Sequence, residues 1–217
     1  MTGALPESFG PAEFQAATHV SRETLAKLKL YASLLQDWNA RINLVSARSL
    51  EDVWRRHMLD SAQLVPLIPE SASSLVDLGA GAGFPGLVLA VLMAESRPFR
   101  VVLYEAIAKK CRFLTEIANR LGLTVEIRNA RIEAAKPEPF DVVTARACAS
   151  LKQLLAYAAP FQGKTTTCLF LKGQSVEAEL DEACKSWDMK VDRYPSRSDP
   201  SGVVLKIQGL SRAARTR

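Results

Sequence analysis

Two histidines in 217 residues, His19 and His57, are too few for a histidine-based metal cluster and leave a serine triad only one imidazole beside an acid. Cysteine is scarce as well. Cys111, Cys148, Cys168 and Cys184 are widely spaced with no C-x-x-C pair, which argues against a zinc knuckle or a disulfide framework and leaves buried thiols as the expectation. The longest uninterrupted apolar run, Leu87–Ala94, is far too short to span a bilayer. Residues 2–10, TGALPESFG, have neither the basic flank nor the apolar stretch of a targeting leader, so a cytoplasmic protein with no membrane or metal partner is expected. No internal repeat or low-complexity tract appears.

What is present suits a folded domain. Apolar residues make up 48% of the chain, enough to bury a core at this length. The net charge of +5 is compatible with an anionic partner, and arginine gathers in RRH at 55–57, KKCR at 109–112, RNAR at 128–131 and RAARTR at 212–217. The segment PLIPESASS divides two patterns. Before it, Leu25, Leu28, Ala32, Leu35 and Trp38 recur at helical steps. A second helix is expected from Ser49, with Asp52 completing a capping-box-like signal and Leu50, Val53, Trp54 and Leu64 on one stripe. His57 and Asp60 fall on that same face, either as a hydrogen-bonded structural pair or as an acid/base dyad.

After the break, β-rich runs alternate with helical ones, the sign of a mostly parallel sheet covered by helices. Strands are expected at Ser74–Leu78, Arg100–Glu105, Thr124–Arg128, Phe140–Ala145 and Thr166–Lys172, with helices near 85–95, 107–121, 150–159 and 175–187. Two further strands, Lys190–Tyr194 and Gly202–Ile207, suit an antiparallel edge. The organisation expected is a helical extension over 1–70, an α/β domain over 71–210 and a basic tail over 211–217.

The first strand runs into LVDLGAGAGFPG, residues 75–86, with four glycines where a doubly wound fold brings its main chain against a ligand. Two registers compete. Gly81-x-Gly83-x-x-Gly86 fits a dinucleotide fingerprint, and Asp77-x-Gly79-x-Gly81-x-Gly83 fits the acid-x-Gly-x-Gly-x-Gly turn of S-adenosylmethionine-dependent methyltransferases. The dinucleotide fingerprint needs its first glycine at the strand end, and from Gly79 it fails at Phe84. Glu105 ends the second strand, where a carboxylate can accept both ribose hydroxyls of an adenosine. Asn129–Glu133 can hold the adenine, with the amides of Ile132 and Glu133 reading its edge, and Arg146 stands at the end of the fourth strand.

These residues resemble the RsmG family, also called glucose-inhibited division protein B, over nearly the whole chain. The matching segments are WNARINLVS at 38–46, RHMLDS at 56–61, VDLGAGAGFPG at 76–86, ARIE at 130–133, TARACASL at 144–151 and LKG at 171–173. The resemblance implies an α/β, Rossmann-like class I methyltransferase with a mostly parallel sheet and an N-terminal helical extension. It implies S-adenosyl-L-methionine as cofactor and N7 of a guanine in bacterial 16S ribosomal RNA, in the decoding region of the small ribosomal subunit, as methyl acceptor. It further implies that Gly79 and Phe84 line the cofactor pocket, that Ile132 and Glu133 contact its adenine side, and that Arg146 closes the site; the glycine motif and the strand-end position add Gly81 and Glu105 to the expected cofactor contacts. Ser201–Gly202 stand where the family commonly has an Arg-His pair.

N7 of guanine carries an in-plane lone pair, so methyl transfer to it needs no general base, and Arg146 is assigned to positioning. Arg41, Arg48, Arg55, Arg56 and the arginine tail are the expected handles for RNA, and the protein is expected to act as a monomer. The alternatives are a non-catalytic RNA-binding assembly factor and a nicotinamide oxidoreductase on the second glycine register.

Overall fold

The computed structural model describes Pro6, residues 8–146 and residues 149–213; Cys148 and the tail from 214 onward lie outside the described residues. Seven strands form one sheet in the order β3-β2-β1-β4-β5-β7-β6: β1 Ser74–Leu78, β2 Arg100–Glu105, β3 Val125–Asn129, β4 Phe140–Arg146, β5 Gln162–Lys172, β6 Trp187–Pro195 and β7 Val203–Arg212. The first five are parallel, and β7 runs antiparallel between β5 and β6. This is the expected α/β class, with its antiparallel edge. Strand order reverses at β1 and β4, and in such sheets the crevice at the carboxyl ends of the strands there receives the ligand.

The helices are α1 Pro11–Thr18, α2 Arg22–Asn39, α3 Ala47–Glu51, α4 Asp60–Ala62, α5 Gly86–Met93, α6 Ala108–Leu121, α7 Leu151–Ala158 and α8 Val176–Cys184. Ser21 caps α2 by accepting the Thr24 N–H at 3.0 Å. The apolar stripe of α2 then places Leu28, Tyr31 and Leu35 in one core with Leu87 of α5, Phe113 of α6 and Leu75 of β1. The extension therefore shares the core on one face of the sheet. Phe161, Phe170, Leu154 and Ile207 build the second core on the other face.

Two expectations are corrected here. The helix expected from Ser49 starts earlier, because Ser46 caps it by accepting the Ser49 N–H at 3.2 Å, and it stops at Glu51, where Asp52 leaves the helical region at φ −112°, ψ 39°. Trp54–Leu59 then winds as a π-helix, a form frequent at functional sites, so the expected 3.6-residue stripe does not carry through to Asp60. The buried-thiol expectation holds for Cys111 and Cys168, whereas Cys184, at the end of α8, is exposed.

No helix among the described residues is long and apolar enough to cross a membrane, and no group of three or more His, Cys, Asp or Glu side chains there is placed to hold a metal ion.

Candidate functional site: two adjoining cavities at the strand ends

A cavity of about 480 Å³, within the usual size range for small-molecule sites, opens at the carboxyl ends of β1 and β2. Gly79, Gly81, Phe84, Glu105 and Arg146, all singled out from the sequence, line it together. Gly79 and Gly81 take φ of 71° and 57°, values that an L side chain resists, and so present bare main chain to the space. Glu105 is buried at the lip. Its Oε2 accepts the Gly81 N–H at 2.9 Å and its Oε1 the Ile107 N–H at 2.8 Å, and each oxygen keeps a second lone pair for a ligand hydroxyl.

The other two glycines serve packing, which corrects the idea that all four exist for the ligand. At Gly83, with φ 89°, a Cβ would run into the Tyr31 hydroxyl and stand 2.7 Å from Leu87 Cδ1; at Gly86 it would collide with Leu103 and lie 2.7 Å from Asp77 Oδ2. Asp77 belongs to the same scaffold. Its Oδ2 accepts the Gly86 N–H at 3.0 Å and its Oδ1 the Thr144 hydroxyl at 2.8 Å, and burial raises its pKa to about 6. The acid of the glycine motif thus ties β1 to β4 and to the start of α5.

Sequence reasoning missed part of the wall. Lys110 of α6 and the loop Leu44–Ser46 also face the cavity. Asn39 shapes that loop, its Oδ1 accepting the N–H groups of Leu44 and Val45, each at 2.9 Å. The signal was in WNARINLVS, where an Asn at a helix end precedes a short turn.

Ile132 and Glu133 sit in a 3₁₀ turn after β3 and are not among the residues facing this cavity; Glu133 Oε1 instead accepts the Tyr157 hydroxyl at 2.8 Å. Asn129 donates to the Glu105 and Ala106 carbonyls at 3.1 and 3.0 Å, holding the ends of β3 and β2 together.

A second, smaller cavity of about 230 Å³ adjoins the first, and Ser49, His57 and Arg146 line both. The expected His57–Asp60 hydrogen bond is absent. With the segment wound as a π-helix, His57 stacks on Phe84 with centroids 4.6 Å apart, and both its ring nitrogens are buried with no hydrogen-bond partner. Burial, with the cations Arg146 and Arg56 nearby, lowers its pKa to about 3, so the imidazole is neutral. Asp60 turns toward the loop between β6 and β7. Its Oδ1 accepts from Ser198 Oγ at 2.5 Å and from Gln63 Nε2 at 2.9 Å. Arg146 lies over the Phe84 ring and donates to the Arg56 carbonyl at 3.0 Å and, loosely, to Asp60 Oδ2 at 3.5 Å. It therefore ties the end of β4 to the π-helical segment. Gly202 closes the turn: its carbonyl accepts the Ser196 N–H at 3.0 Å and a Cβ there would lie 2.9 Å from Ser196 Cβ.

Solved structures share this architecture. The ribosomal protein L11 methylase of Lactobacillus delbrueckii subsp. bulgaricus superposes with a TM-score of 0.56 at 14% identity, over 71% of this chain and 77% of that one. M. jannaschii TYW2, solved in complex with AdoMet, gives 0.56 at 17% identity over 80% of each chain. At those identities the likeness speaks for the fold alone. The sequence matches go further. Ribosomal RNA small subunit methyltransferase G of Parvibaculum lavamentivorans is 49% identical over 94% of this chain and 92% of its own length. The protein of the same name from Paramagnetospirillum magneticum is 50% identical over 94% and 97%. The family GidB, described as rRNA small subunit methyltransferase G, matches residues 24–199, and the chain belongs to it.

Proposed function

We propose that this protein transfers the methyl group of S-adenosyl-L-methionine to N7 of a guanine in the decoding region of 16S ribosomal RNA. The observation that carries the reading is the first cavity, where main chain bared by Gly79 and Gly81 meets a buried carboxylate, Glu105, in hydrogen-bonding contact with that same turn. The residues present fit the cofactor. Gly79 and Gly81 would hold its amino-acid end, Glu105 its ribose, and Leu44 and Val45 an apolar face; Ile132 and Glu133 are assigned to the adenine side. When bound, the cofactor supplies a methyl group on a cationic sulfur.

What this chain must contribute is alignment. The nucleophile needs no deprotonation, so holding N7 in line with the methyl carbon supplies much of the rate, on the order of several kcal/mol. We assign this to Arg146, which lies on the wall shared by both cavities and is held by Phe84 and the Arg56 carbonyl. Arg41, Arg48 and Arg56 are exposed on the same extension, and we assign them to phosphate contacts. The protein acts in the cytoplasm, as a monomer, on the small subunit or its RNA.

The test is transfer of tritium from methyl-labelled S-adenosylmethionine to small subunits, with the modified base mapped in RNA from cells with and without the gene. A single N7-methylguanine present only with the gene supports the reading. Binding of subunits with no transfer and no affinity for the cofactor favours the non-catalytic assembly factor.

A further inference from the structure

The second cavity holds two polar groups that the fold leaves open. His57 lines both cavities, and its two ring nitrogens are buried without a hydrogen-bond partner. Asp60 Oδ1 is filled by Ser198 and Gln63, whereas Oδ2 has, among the described residues, only the 3.5 Å contact from Arg146, beyond good hydrogen-bond length. A buried imidazole and carboxylate oxygen without full partners are costly unless a ligand completes them.

Their order matters. His57 lines both cavities, and Asp60 lines only the second. On guanine the groups run N2–H₂, N1–H, O6 and then N7, two donors followed by two acceptors. Resting on the methyltransferase reading above, we infer that the second cavity receives the target guanine, with Asp60 Oδ2 accepting from its N1–H and N2–H₂ edge and a His57 N–H donating to O6. That order leaves N7 next to the His57 wall and facing the first cavity. Adenine reverses it, setting its N1 acceptor against the carboxylate and its N6 donors against the imidazole N–H.

The same contacts favour the transition state. As N7 bonds to the methyl carbon and the carbon–sulfur bond breaks, the positive charge passes from sulfur to the purine, and sulfur leaves with the bonding pair as a neutral thioether. N1–H becomes more acidic in the charged base, so its hydrogen bond to Asp60 strengthens as the reaction proceeds. A neutral imidazole at O6 adds no second positive charge. Arg146, which contacts Asp60 and Arg56, acts as a positioning residue.

The chain's two histidines make this readable by NMR. Protein labelled with 15N-histidine and loaded with S-adenosylhomocysteine is titrated with GMP, IMP and AMP at millimolar concentration. GMP should shift the ring nitrogens of His57 and leave exposed His19 unmoved; IMP, lacking N2–H₂, should bind about tenfold more weakly, and AMP more weakly again. In Asp60→Asn the GMP and IMP affinities should converge, and kcat/KM on small subunits should fall about 100-fold while S-adenosylhomocysteine affinity stays within about twofold. Equal responses to the three nucleotides, no response of His57 to GMP, or full activity of a folded Asp60→Asn protein would each overturn the inference. The wild-type titration decides the matter even if the variant does not fold. If, in uniformly 15N-labelled protein, S-adenosylhomocysteine itself leaves the amides of Gly79–Gly81 unperturbed, the donor reading has failed instead.

Discussion

Glu105 Oε2 accepts the Gly81 N–H at 2.9 Å, so the acid that ends β2 also shapes the turn that follows β1. One side chain thus serves two ends of the same cavity. Replacing it by alanine removes a carboxylate acceptor and frees the Gly81 amide, and a hydrogen bond to a charged group contributes about 1.5–3 kcal/mol. Glu105→Ala should therefore weaken S-adenosylhomocysteine binding by at least about tenfold by isothermal titration calorimetry, where tenfold corresponds to ~1.4 kcal/mol. Unchanged affinity would mean that the ribose is held elsewhere.

The glycines divide into two roles that alanine can separate. Gly83→Ala forces a methyl group against Tyr31 and Leu87, so it should lower stability by about 1–3 kcal/mol through overpacking, seen in urea denaturation of the protein without ligand. The space around Gly81 is more open, with the Gly79 carbonyl oxygen 3.8 Å from an added Cβ. Gly81→Ala should cost about 1–2 kcal/mol from the left-handed backbone alone, with a further drop in cofactor affinity. If both variants lowered stability and neither weakened cofactor binding beyond that, the cavity would be misassigned.

His57 gives a pH test with a definite sign. Its pKa falls from 6.5 unfolded to about 3 folded, so below pH 6.5 the unfolded chain binds the extra proton and stability drops as pH falls. Asp77 works in the opposite direction. Raised to about 6, its folded carboxyl keeps a proton that the unfolded one loses, so its contribution grows as pH falls from 6 toward 3.8. His57→Phe leaves the Asp77 contribution in place, so the difference between variant and wild type isolates the histidine. Going from pH 6.5, where the unfolded imidazole is half protonated, to pH 5, the variant should gain about 1.6 kcal/mol relative to wild type, the limiting slope being ~1.36 kcal/mol per unit. A difference independent of pH would show that His57 protonates freely in the folded protein.

How much of this was legible beforehand depends on the range of the forces involved. The strands and their helices announce themselves through β-rich and amphipathic runs, and the turn after Leu78 through its glycines and the acid Asp77. The reason for Gly83 lies in Tyr31, distant in sequence, and only the folded packing of α2 against α5 reveals it. The π-helical turn at Trp54–Leu59 has no propensity signature, and nothing local shows that His57 stacks on Phe84 while Asp60 bonds to Ser198. The loop Ser196–Ser198, which supplies a partner to Asp60, is a polar turn without periodicity. Its place in the second cavity follows from β7 inserting between β5 and β6.

Electrostatic attachment to RNA has its own signature. Arg41 and Arg48 are exposed and hold no part of the core, so Arg41→Ala and Arg48→Ala should leave folding unchanged. Each should weaken binding to small subunits and reduce the slope of log K against log salt by about 1 for each phosphate no longer neutralised. A slope unaltered in the double variant would move the RNA surface off this extension.

The most direct test is a crystal structure with S-adenosylhomocysteine. The amino-acid end should rest on the main chain of Gly79–Gly81 and the ribose hydroxyls on Glu105, with the sulfur directed toward the wall formed by His57 and Arg146. A ligand seated away from that turn, with the first cavity left to solvent, would contradict the account.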